Sequence, residues 1–84
     1  MIKNKIYQVY MLKSIEKKPV TYVGYTSDLK KRIRDHNTGK GAKFTRGRKW
    51  KLIYNEILCS KSEAISREYY IKHNRLFRKL IMNK

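Results

Sequence analysis

Acidic residues are scarce in this sequence: six Asp and Glu stand against 22 Lys and Arg, for a formal charge of +16. Self-repulsion of that size opposes folding unless a polyanion or counterions offset it, so the balance points to nucleic acid. An anionic membrane surface, the rival partner, calls for a basic amphipathic helix with a broad apolar face or a polybasic tail, and neither is evident. Cysteine is nearly absent too. A lone Cys59 excludes an internal disulfide framework, and with only His36 and His73 beside it there is no ligand spacing for a structural zinc site. No apolar stretch approaches the roughly 18 residues of a membrane span, and Met1-Ile2-Lys3-Asn4-Lys5 lacks the apolar run of a secretion signal, so the expected location is the cytoplasm. At 84 residues the expectation is one domain over 1–84 with a modest core.

What is present has a readable order. Ile6 to Lys13 and Val20 to Thr26 are rich in aromatic and branched residues, and the polar run from Ser14 to Pro19 between them predicts a hairpin. Pro19, the one proline, suits the start of the second strand. Thr26 and Ser27 offer an N-cap for a helix from about Asp28 to Asn37, with Asp28 near its positive end and Gly39 marking its stop. Leu29 and Ile33 then face the core, while Asp28, Arg32 and His36 form a second i, i+4 row.

Gly39 to Arg48 reads as a basic, glycine-rich loop with room for one helical turn. Lys51 to Cys59 predicts a third strand with Leu52, Tyr54, Glu56 and Leu58 on one face, and Ile53, Asn55, Ile57 and Cys59 on the other. Neither face is purely polar, which implies a central or covered strand. Ser60 to Glu63 fits a capping box opening a helix to about His73. Asn74 caps a last helix that carries Leu76, Phe77, Leu80 and Ile81 on one stripe against the core.

Between Lys30 and Lys51, ten Lys or Arg are opposed only by Asp35. Lys30, Lys31, Arg34, Lys40, Lys43, Arg46, Arg48 and Lys49 are therefore the expected phosphate contacts. In the second long helix, Ala64 lies four before Glu68 and Ile71 three after it, so Glu68 shares an apolar stripe. A carboxylate there must be paired, protonated or coordinated to a cation, which leaves a metal ligand or a structural salt bridge as its readings. Glu16, Asp28 and Glu63 sit in a turn, a helix start and a cap. Asp35, Glu56 and Glu68 remain as candidates, a poor supply for a multi-carboxylate two-metal site.

Gln8-Val9-Tyr10 and Tyr22-Val23-Gly24 on the paired strands look like degenerate forms of the GIY and YIG motifs. Arg32 stands ten after Tyr22 and His36 fourteen after it, Glu68 lies in Ser66-Arg67-Glu68-Tyr69-Tyr70-Ile71-Lys72, and the run from His36 to Gly47 follows. The chain thus resembles the GIY-YIG endonuclease superfamily, in particular its small stand-alone bacterial branch, over nearly its whole length. The Gly and Ile of the first motif are replaced, and the hairpin turn is longer than usual for that branch.

The resemblance implies an α+β fold, with a three-stranded antiparallel sheet packed with about three helices. It also implies one-metal hydrolysis of phosphodiester bonds in DNA. Glu68 would hold the divalent ion, Mg²⁺ or Mn²⁺. Tyr10 would be the general base on the attacking water, Tyr22 would support that water or the phosphate, and Arg32 would stabilise the pentacovalent phosphate. His36 would orient a tyrosine hydroxyl or touch phosphate. An unperturbed tyrosine is only about 0.1% ionised at pH 7, so Tyr10 needs cations or an acceptor for its proton. Taken singly, Tyr10 and Tyr22 also fit as half-buried strand aromatics, Arg32 as a solvated charge and His36 as a polar helix end. An asparagine following the glutamate in many relatives has two possible counterparts, Asn74 and Asn83. Without a separate specificity module, a branched or nicked DNA is the substrate form considered. The alternative is a non-catalytic scaffold that binds nucleic acid, with RNA or a larger assembly as its partner.

Overall fold

The computed structural model describes residues 5–84; the segment Met1 to Asn4, used above in judging a secretion signal, lies outside the described residues. Three strands, β1 (Tyr7–Ser14), β2 (Thr21–Thr26) and β3 (Trp50–Leu58), and three helices, α1 (Leu29–Asn37), α2 (Lys61–Lys72) and α3 (Arg75–Met82), make an α+β arrangement. The sheet is antiparallel with β1 in the middle, β2 on one side and β3 on the other. Gln8 keeps its register, opposite Thr26 and Ile57, and accepts a hydrogen bond from Asn55 at 2.8 Å. Replacing the motif's glycine has therefore not disturbed the strand.

Alternation along β1 gives the sheet two apolar faces. Val9 and Met11, with Val23 of β2, pack beneath α2 and α3 against Ala64, Ile71, Phe77 and Ile81. Tyr10 and Leu12 point the other way and pack with Tyr22, Trp50, Leu52, and Leu29 and Ile33 of α1. Helices thus cover both faces, and β1, hydrogen-bonded on both edges, carries four successive fully buried residues, Val9 to Leu12.

The third strand differs from its expectation. It is an edge strand, and its Ile57 is 67% exposed. Its mixed faces come from a bulge: Met11 pairs with Tyr54 but Leu12 with Leu52, leaving Ile53 extra. One extra residue reverses the side on which the following side chains lie. Tyr54 and Leu58 accordingly join the cluster under α2 and α3, whereas Trp50 and Leu52 join the one under α1. Leu52 and Tyr54, expected on one face, are on opposite faces.

The helix ends follow local chemistry. Asp28, rather than Thr26 or Ser27, caps α1 by accepting from the Lys31 amide, while the Thr26 hydroxyl accepts from the Asp28 amide one step earlier. Gly39, at φ +80°, takes the left-handed conformation after the helix. Ser60 caps α2, although Glu63 reaches back to its hydroxyl rather than to its backbone. Asn74 caps α3 through the Phe77 amide. On α3 the expected stripe splits: Phe77 and Ile81 pack inward, but Leu76 and Leu80 are 68% and 62% exposed. Four apolar residues over six positions span more of the helix surface than the sheet can cover, and only one i, i+4 row reaches it.

Candidate active site

The hairpin register places Tyr10 opposite Gly24. A Cβ on Gly24 would lie 2.5 Å from the Tyr10 hydroxyl and 2.8 Å from its Cζ, so the phenol rests where a side chain would otherwise stand. This is a physical reason for a glycine two residues after Tyr22. The Tyr10 hydroxyl then meets Nε2 of His36 at 2.8 Å, with no solvent exposure of either residue. Tyr22 closes the group, its ring centroid 4.9 Å from that of His36 and 6.4 Å from that of Tyr10.

The loop after α1 wraps the histidine from the other side. A single 3₁₀ turn, Lys43–Thr45, brings the buried Thr45 hydroxyl to 2.9 Å from His36 Nδ1. Gly41 packs so tightly on the imidazole that a Cβ there would collide with Nδ1. The loop is anchored by Asn37, whose side chain bonds both the amide and the carbonyl of Trp50, and by the Trp50 indole donating to the Thr45 carbonyl at 3.0 Å. Gly41, Thr45, Asn37 and Trp50 were not singled out from the sequence. All four lie in or beside the run from His36 to Gly47, where the signal was resemblance rather than residue chemistry.

Electrostatics join Arg32 and Glu68 to this group. Burial pushes the Tyr10 phenol up to about 12; the Arg32 guanidinium beside the oxygen opposes that shift, while Tyr22 and Glu68 add to it. The field of Glu68 thus reaches the phenol, although α2 packs against the far face of the sheet. Burial also holds His36 below the ordinary histidine range, and the Arg32 charge acts in the same direction, against a weaker pull from Asp35. The cation that Tyr10 was expected to need is present, but desolvation outweighs it.

The carboxylates sort cleanly. Asp35 pairs with Lys31 at 2.8 Å. Glu56 takes both arms of Arg67, at 2.8 and 2.6 Å, and a hydrogen bond from the Tyr54 hydroxyl. Glu16 meets Arg48 at 3.1 Å, and Asp28 and Glu63 serve caps. Glu68, about four-fifths covered, has among the described residues only Lys72 of its own helix, at 3.9 Å. Among the described residues no three His, Cys, Asp or Glu side chains converge on a metal-binding point. A site with one carboxylate still fits a magnesium-like ion, which keeps several waters and takes substrate phosphate oxygens as ligands. Asn74 is committed to its cap, and Asn83 stands at the C-cap of α3.

Two shallow clefts adjoin the group. One, about 460 Å³, includes Arg32 with Lys5, Lys31 and Lys61; the other, about 390 Å³, includes Tyr22 with Phe44, Lys72 and Arg78. Lys61, Lys72 and Arg78 come from α2 and α3, outside the basic segment read from the sequence. Of the expected phosphate contacts, Lys30, Arg34, Lys40, Lys43 and Arg46 are exposed, and no salt bridge engages them among the described residues. Lys31 is paired with Asp35, Lys49 donates to the Asn37 carbonyl, and Arg48 is held by Glu16 while lying over the Phe44 ring.

With that geometry in place, comparison with known proteins is decisive. The GIY-YIG catalytic domain profile matches residues 6–80. The chain belongs to the GIY-YIG family. A UPF0213 protein of Clostridium perfringens is 55% identical over 65 residues, 76% of this chain and 68% of that protein. One from Haloquadratum walsbyi is 41% identical over 70 residues, 82% and 76% of the two chains. The match to a Bacillus pumilus relative, 52% identical over 52 residues, covers 61% of this chain and about half, 53%, of the relative. The solution NMR structure of a UPF0213 protein from Bacillus halodurans superposes with a TM-score of 0.55 at 39% identity, covering 93% of this chain and 83% of that one. GIY-YIG membership places the chain in a nuclease superfamily whose substrate is nucleic acid and whose nucleases generally use divalent metals. Among the described residues no helix is long and apolar enough to cross a membrane.

Proposed function

We propose that this protein is a DNA endonuclease that hydrolyses phosphodiester bonds with one divalent ion, Mg²⁺ or Mn²⁺, held by Glu68. The observation that carries the reading is the buried hydrogen bond between the Tyr10 phenol and His36, with the Arg32 guanidinium beside the phenol oxygen. A phenol pushed up to about 12 does not work as a preformed phenolate at neutral pH. It works as a relay: the Tyr10 oxygen takes a proton from the attacking water as its own proton passes to neutral His36 Nε2. The water oxygen bonds to phosphorus, the ester P–O bond breaks, and the leaving oxygen takes a proton from solvent. Glu68 would hold the ion, which would supply polarisation of a phosphoryl oxygen and charge stabilisation of the leaving group.

Arg32 lies beside the Tyr10 oxygen in the free protein, and its planar fork suits developing phosphate charge. Its transfer from phenol to phosphate on substrate binding uncovers the oxygen for water. Tyr22, half-buried and open to the cleft with Lys72 and Arg78, supports the water or the phosphate. Backbone contacts from Lys30, Arg34, Lys40, Lys43 and Arg46 position DNA without reading bases, and a nicked or branched duplex suits contacts that read backbone rather than sequence. A free, exposed Cys59 is in keeping with a reducing cytoplasm.

The test is cleavage of supercoiled, single-stranded and branched DNA with Mg²⁺ or Mn²⁺ by wild type, Tyr10→Phe and Glu68→Ala. The expected result is binding retained by all three and cleavage reduced by about 100-fold or more in both variants. Equal cutting by all three means a contaminating nuclease. Binding without cutting, even by wild type, establishes the second reading, a non-catalytic scaffold for DNA or RNA, which the complete burial of Tyr10 favours.

A further inference from the structure

The hydrogen bonds around His36 have only one self-consistent direction. The Thr45 hydroxyl lies 2.7 Å from the Ala42 carbonyl oxygen and 2.9 Å from His36 Nδ1. A hydroxyl has one proton and a carbonyl oxygen none. Were the Thr45 proton directed at His36, two oxygens would face each other at 2.7 Å with no hydrogen between them. The proton therefore goes to Ala42, and Thr45 Oγ1 accepts from Nδ1–H. That leaves Nε2 of the neutral ring as an acceptor, so the Tyr10 hydroxyl donates to it at 2.8 Å. Among the described residues every buried side-chain polar atom has a partner, as such a directed chain requires.

We propose that Thr45 is a positioning residue that fixes His36 in its Nδ1-protonated form and thereby keeps Nε2 open for the proton of Tyr10. The tautomer assignment stands on the hydrogen bonds alone; its catalytic consequence rests on the nuclease reading above. Thr45 exchanges no proton in the reaction. When His36 accepts the Tyr10 proton it becomes an imidazolium whose Nδ1–H still points at Thr45 Oγ1. The other tautomer would place a hydrogen on Nε2, directed at a phenol whose own proton then has no acceptor, and the relay would stop. The groups facing His36 are Tyr10 from β1, Tyr22 from β2, Arg32 and Asp35 from α1, and Thr45. None of the others offers Nδ1 an alternative hydrogen bond.

Thr45→Val removes the hydroxyl at nearly constant volume and keeps the backbone bond from residue 45 to the Ala42 carbonyl, at 3.0 Å; Thr45→Ser restores the hydroxyl. The primary readout is ¹⁵N NMR of the His36 side chain at a pH where it is neutral. The wild type is expected to show a protonated Nδ1 and a bare Nε2, Thr45→Val a shift toward the other tautomer, and Thr45→Ser the wild-type pattern. DNA cleavage is expected to fall by about tenfold or more in Thr45→Val and to recover in Thr45→Ser. A bare Nδ1 in the wild type overturns the proposal without any variant, and so does Thr45→Val keeping both the wild-type pattern and the wild-type rate. If the tautomer shifts as expected but no form of the protein cuts DNA, the assignment of Thr45 stands and the nuclease reading fails.

Discussion

At the scale of single residues, a position with no reactive group shapes the site as firmly as those that have one. Gly24 gives the Tyr10 phenol its resting place, and a methyl group there would overlap ring and hydroxyl. Gly24→Ala is expected to cost about 1–3 kcal/mol, as overpacking does, and to displace Tyr10 from His36, measured as a lower urea midpoint together with loss of cleavage. Titration offers a second check. An unfolded histidine takes its proton near 6.5, but His36 in the folded protein does so lower. Between those values the unfolded chain binds more protons, so stability declines as pH falls below about 6.5. Tyr10 works at the other limit: its folded value is about 12 against 10 unfolded. Its contribution is intact below pH 10 and lost as pH rises toward 12, on the order of 3 kcal/mol at most. Urea midpoints from pH 5 to 11 should trace a plateau that falls on both sides; a midpoint that stayed level at both ends would contradict the burial argument. Tyr10, Tyr22, Arg32, His36 and Glu68 could be picked out in the sequence because their types and spacing match a motif. Thr45 and Gly41 could not, since a threonine and a glycine in a basic loop are common. Their importance arises only when the loop folds back onto the ring.

At the scale of elements, the strands and helices were legible to within a residue or two, because each announces itself by alternation or by a capping residue such as Ser60 or Asn74, although α1 is capped by Asp28 and not by the expected Thr26 or Ser27. What escaped was the relation of each element to its neighbours. The bulge at Ile53 turns on pairing with β1, which no local pattern in β3 records. Likewise Leu76 and Leu80 are as apolar as Phe77 and Ile81, and only the position of the sheet decides which row is buried. The contrast is measurable. Phe77→Ala should destabilise the fold by about 2–4 kcal/mol, somewhat less than a fully buried aromatic, whereas Leu80→Ala should stay within about 0.5 kcal/mol. Equal losses at the two positions in denaturant titrations would mean that α3 packs by a different face.

For the molecule as a whole, charge is the governing quantity. All six carboxylates have assigned neighbours, five of them in close pairs or caps, so the excess of cations is left free to meet phosphate. About four phosphate contacts on duplex DNA predict a slope near −3.6 in log affinity against log salt. Fluorescence anisotropy from 50 to 300 mM salt measures it, and a flat response would exclude backbone-dominated binding. Charge count alone foretold a polyanionic partner. It did not foretell that the clefts beside Arg32 and Tyr22 draw on Lys61, Lys72 and Arg78, because those cations are far from the basic loop in sequence and meet the site only through the docking of α2 and α3.

The extra residue at Ile53 makes one strand a hinge pin between two interiors: upstream its side chains belong with the phenols, downstream with the carboxyl-terminal helices. Deleting that residue would make Leu52 and Tyr54 direct neighbours, still opposite Leu12 and Met11 and still on opposite faces, so the ladder would become regular with both sets of side chains kept inside. The faces of this strand are therefore set by its partner residues on β1, and the bulge absorbs one residue of length without moving either interior.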